Sequence, residues 1–117
     1  MNIIVDRPKL VRIVLLYLNN NFGDLTPKSY SIIPGKVFYV DKQGGTVLEY
    51  EEDNEFEPIV WVDGTLLWSK ITNIFHLNYS EIQSILELWL KETYNFEGVS
   101  VSQARLGLDL DLDLDFY

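Results

Sequence analysis

Across residues 78–94 the apolar side chains Ile82, Ile85, Leu86, Trp89 and Leu90 recur at i, i+3, i+4 and i+7. That spacing lays one stripe along a helix, and the stripe demands a surface to cover it. Asn78, followed three residues later by Glu81, has the pattern of a capping box and fixes where the helix starts. Glu81, Glu87, Lys91 and Glu92 fall off the stripe and are expected to face outward. The helix should end between Tyr94 and Gly98. The rest of the chain must supply its partner surface.

Short β-prone segments precede it. KVFYV (36–40), TVLEYEE (46–52) and PIVWVDG (58–64) are rich in Val, Tyr and Trp, and DKQGG and DNEFEP separate them as turns. They read as a three-strand antiparallel meander. A shorter helix follows, capped by Asp63 or Thr65, with Leu67, Ile71, Ile74 and Phe75 at helical spacing. HLN (76–78) breaks it and makes a C-terminal helical hairpin. At the other end, Asp6 is a candidate N-cap, and Pro8 falls in a first turn that tolerates it. Leu10, Val11, Ile13, Val14, Leu15, Leu16, Tyr17 and Leu18 make this segment apolar nearly all round. They predict a helix buried on most sides, although the β-branched content keeps a strand open. NNNFG should end it, with Gly23 at C′. Residues 24–35, holding two prolines and a glycine, read as a loop. Trp61, Trp68 and Trp89, in phase with other apolar residues, are expected in the core. The class is α+β: a buried N-terminal helix, the meander, the helical hairpin and a C-terminal strand or arm.

That arm is RLGLDLDLDLDFY (105–117). In an extended chain Leu106, Leu108, Leu110, Leu112, Leu114 and Phe116 share one face, and Asp109, Asp111, Asp113 and Asp115 the other. A helix would scatter both sets. Asp has poor strand propensity, so the segment needs a surface to dock on. It reads as the last strand of its own sheet, as an arm added to a partner's sheet, or as a row of charges imitating a phosphate backbone. Adjacent carboxylates would stand about 6.6 Å apart, too far for two of them to chelate one calcium unaided. A single domain over 1–104 followed by the acidic arm over 105–117 is the expected layout.

The chain of 117 residues carries a net charge of −9. Its acids cluster. Glu49, Glu51, Glu52, Asp53, Glu55, Glu57 and Asp63 form one group, and the four tail aspartates form another. These eleven exceed the whole imbalance, so acidity is concentrated in two patches. Direct contact with nucleic acid or an anionic membrane is disfavoured, because both call for Lys and Arg. The patches suit a protein partner with a basic surface. The partner-binding set read from the sequence is therefore Leu108 to Phe116 with Glu51, Glu52, Asp53 and Glu55. No apolar run approaches a membrane span, and no cleavage-site pattern follows the first apolar run. The expected protein is soluble, unprocessed and cytoplasmic in a host cell, or part of a virion.

Catalytic chemistry finds little to stand on. There is one histidine, His76, and no cysteine, so no triad, thiolate site or histidine cluster can be assembled. No cofactor or metal is expected. The second hairpin helix is net acidic, which argues against helix-turn-helix DNA binding. A small carboxylate-dependent enzyme ranks third, behind an interaction module and an acidic inhibitor of a nucleic-acid-binding protein.

The segments LYLNNNFGDLTP (16–27) and LLWSKITNIFHLNYSEIQSILELWLKETYNFEGV (66–99), with their F-x-L-N-Y turn and W-L-x-E-T-Y, resemble small proteins encoded by phages and other large DNA viruses. The resemblance implies a viral setting and carries over no site residue. The expectation is a noncatalytic interaction or structural module that engages a protein partner, or a second copy of itself, through its sheet edge or C-terminal strand.

Overall fold

The structure is a computed structural model and describes residues 7–51 and 58–106. It is α+β: an N-terminal helix, a strand meander, a helical hairpin and a closing strand. Helix α1 spans Arg7–Phe22 and is followed by β1 (Thr26–Tyr30), β2 (Ile33–Val40), β3 (Thr46–Glu51) and β4 (Ile59–Asp63). A π-helical turn (Gly64–Trp68) leads into α2 (Ser69–Phe75), then α3 (Tyr79–Tyr94) and β5 (Ser100–Ala104). The five strands lie in sequence order. The first three pairings are antiparallel and β4–β5 is parallel. A parallel pair needs a crossover, and the helical hairpin provides it.

The sheet is larger than the predicted meander in two places. Residues 24–35 are not a loop, because β1 and the start of β2 lie there. Their prolines misled because Pro27 sits on an edge strand and Pro34 near a strand's beginning, where a missing N–H is tolerated. The fifth strand, SVSQA, has a single large apolar residue, Val101, and so offers little pattern to read.

Register and alternation divide the sheet's two faces. Tyr39, Leu48, Tyr50, Val60, Val62 and Val101 share the face that packs on the helices. Against them stand Ile82, Ile85, Leu86, Trp89 and Leu90 of α3, all buried as the stripe predicts. The Asn78–Glu81 capping box is formed in both directions. Asn95 closes α3 in the left-handed region, at φ 61°.

Helix α1 departs from expectation. Only Val14, Leu18 and Phe22 are buried, while Ile13 is 47% and Leu16 61% exposed. It packs on the domain by one side, as a single outer helix does, so its apolar count overstated its burial. It ends at Gly23 without the left-handed backbone of a C′ glycine. Glycine is needed there for another reason: a Cβ would stand 2.4 Å from the Asn19 carbonyl oxygen, to which the Gly23 N–H is bonded. On α2, Ile74 is likewise half exposed, against the predicted stripe.

Candidate partner-binding surface

The sheet's outer face carries a row that crosses all five strands: Lys28, Phe38, Glu49, Trp61 and Ser102. Trp61 therefore lies on this face, half-buried, and not in the helix-side core. Strand alternation decides the matter, since its neighbours Val60 and Val62 take the inner face. Phe38 is buried here beside the Tyr30 ring, at 5.6 Å. The Trp61 indole N–H donates to Glu51 at 3.0 Å, and Lys36 pairs with Glu49 at 3.8 Å. Glu51, one of the predicted partner-binding acids, is thus already bonded within the sheet. Glu52, Asp53 and Glu55 lie outside the described residues.

At each sheet edge one backbone group is withdrawn from pairing. Pro27 occupies the β1 edge and offers no N–H. At β5, Ser100 donates its N–H to Pro58 of the β4 side, so Val101 points its backbone outward. The Gln83 side-chain amide covers that position by donating to the Val101 carbonyl at 2.9 Å.

Asp63 is the convergence point of the fold. It is 6% exposed and sits at the end of β4. One carboxylate oxygen accepts from the N–H groups of Thr65 (3.0 Å) and Leu66 (2.8 Å), capping the π-helical turn. The other accepts from the Leu106 N–H at 3.0 Å. Leu106 itself is buried. A buried carboxylate requires this degree of hydrogen bonding. It also fixes the point from which the Leu-Asp segment departs. The predicted contacts of Leu108, Asp109, Leu110, Asp111, Leu112, Asp113, Leu114, Asp115 and Phe116 lie outside the described residues. Asp63 was legible as a cap from its place before a helix; its bond to a residue 43 positions away had no local signal.

A second convergence joins α1 to α3. The Asn19 side-chain oxygen accepts from the Trp89 indole at 2.9 Å and from the Thr93 hydroxyl at 3.0 Å. The Tyr94 hydroxyl donates to the Phe22 carbonyl and accepts from the Leu25 N–H at 3.1 Å. Burial pushes the Tyr94 phenol above its ordinary pKa against the lowering effect of the Leu25 N–H, and burial raises Tyr39 beside it, helped by Tyr50. These phenols are structural: Tyr39 meets the Tyr94 and Phe96 rings edge to face at 5.4 and 5.6 Å.

His76 is an exposed turn residue at φ 54° that ends α2. Among the described residues no group of three or more His, Asp or Glu could hold a metal ion, and no helix is long and apolar enough to cross a membrane. Comparison with protein-family models, curated proteins and solved structures yields no match.

Proposed function

We propose that the protein is a noncatalytic interaction module whose C-terminal Leu-Asp segment recognises a protein with a basic surface. The observation that carries this reading is the Asp63–Leu106 bond, which starts the segment from a fixed, buried anchor. A recognition segment gains from such a start, because a fixed origin limits the volume it must search. Pro27 and Gln83 occupy the two sheet edges, which favours the segment over edge pairing as the means of contact. A viral accessory role fits the same reading, with the partner supplied by the host.

The test compares the full chain with a variant carrying Asp109→Asn, Asp111→Asn, Asp113→Asn and Asp115→Asn. Each is used to capture proteins from the source lysate at low and high salt. The expected result is a partner held by the parent, weakened by salt and lost with the four asparagines. Equal capture by both chains would move recognition away from the carboxylates.

A further inference from the structure

The exposed side of α1 carries two large apolar residues among its polar ones. Ile13 and Leu16 stand on it, with Lys9 and Arg12 on the same side. The Tyr17 and Phe75 rings, both half-buried, meet edge to face at 5.6 Å, so α1 and α2 approach each other at this point. Ile74, half exposed, and Lys70, one turn before it, extend the surface onto α2. Charge segregates here. Arg7, Lys9, Arg12 and Lys70 are the charged residues of the two helices, and neither helix contains an acid. Arg7 is bound to Glu81 of α3, and Arg12 and Lys70 flank the apolar ridge.

An apolar ridge flanked by cations fits an occupant that is leucine-rich and acidic. The chain contains one such segment. From these observations we infer that the α1–α2 ridge is the docking surface for the chain's own residues 107–117, displaced when an external partner takes the segment. This extends the reading of that segment as a recognition element. The leucines and Phe116 would bury the ridge, and the four carboxylates would lie within about 8 Å, one Debye length, of its cations.

Reach lets the segment meet the α2 end of the ridge. Leu106 is bonded to Asp63, immediately before Gly64. From Gly64 to Ile74 the helical path is eleven residues, at most roughly 16 Å. Eleven residues follow Leu106, and extended they span roughly 36 Å. A tether of this length gives an effective concentration in the millimolar range, so the chain's own segment outcompetes that of a second copy at micromolar protein.

The chain has no cysteine, which makes disulfide trapping clean. One full-length variant carries Leu16→Cys with Leu112→Cys. The control carries Ile32→Cys with Leu112→Cys, Ile32 being exposed and apolar on the β1–β2 turn. Both must first match the parent's circular dichroism and melting temperature. The expected result is an intrachain disulfide between positions 16 and 112 forming about tenfold faster than the control pair, the advantage shrinking several-fold in 1 M salt. Equal rates would overturn the inference, and so would predominantly interchain dimers, which would give the ridge to a second copy. Either failure leaves the partner-capture result unaffected, because that experiment reads the carboxylates against external proteins.

Discussion

Helices α1 and α3 have the same length, 16 residues, and both contribute to one core, yet they are built on different terms. In α3 the apolar residues form one stripe, Glu87, Lys91 and Glu92 face away, Glu81 is held by the cap and by Arg7, and both ends are closed by Asn78 and Asn95. In α1 apolar residues surround the axis, and only one side finds a surface to bury them. The comparison teaches that apolar content sets how much a helix could bury, while its place in the layer sets how much it does. A helix on the outside of a two-layer domain has one neighbour side. Surplus apolar residues on the other side call for an explanation beyond folding.

Substitution at the centre of α3 tests the contrast most severely. Trp89 is fully buried, and its indole is the link to Asn19 of α1. Trp89→Ala should cost about 3–5 kcal/mol, read as a lower urea midpoint at unchanged slope. A loss below about 1 kcal/mol would mean that α3 is not the helix the core is built on.

Tyr94 ties the end of α3 to the end of α1, so it probes whether the two helices depend on each other. Tyr94→Phe leaves the Phe22 carbonyl and the Leu25 N–H without their partner and should cost about 1–2 kcal/mol at neutral pH. The pH dependence has a definite sign. Burial raises the folded-state pKa above the unfolded value of 10.0. The folded state therefore favours the neutral phenol. Its contribution is whole below pH 10 and is lost as pH rises through the folded-state pKa. Thermal melts from pH 8 upward should show the parent losing stability in that range and Tyr94→Phe losing less, with Tyr39 sustaining the remainder.

The same contrast explains what could be read from the residues alone. Helix α3 was legible to its N-terminal cap because Asn78, Glu81 and the apolar stripe all act within a turn or two of each other. The meander's three inner strands were legible from Val, Tyr and Trp separated by glycine turns. Asp41 adds to the first turn by accepting from the Gln43 and Gly45 N–H groups, with Gly44 at φ 86° between them. Strands β1 and β5 were not legible: TPKSY and SVSQA take their conformation from neighbours far along the chain. The candidate site divides likewise. The Leu-Asp alternation is visible at once, whereas its anchor depends on a carboxylate 43 residues earlier. The exposed ridge on α1 was hidden by the very apolar run that predicted its burial.

The smallest expected effect is the most informative about that ridge. Leu18 is fully buried on α1 and Leu16 is 61% exposed, two residues apart and chemically identical. A helix buried all round would lose stability at both positions. A helix buried on one side should lose about 3 kcal/mol from Leu18→Ala and less than about 0.5 kcal/mol from Leu16→Ala. If the chain's own segment covers the ridge, the second value gains a dependence that the first lacks. Leu16→Ala should then cost measurably more in the parent than in the variant with four tail asparagines, and the difference should fade in high salt. That double comparison separates a leucine tolerated on the surface from one that is covered there.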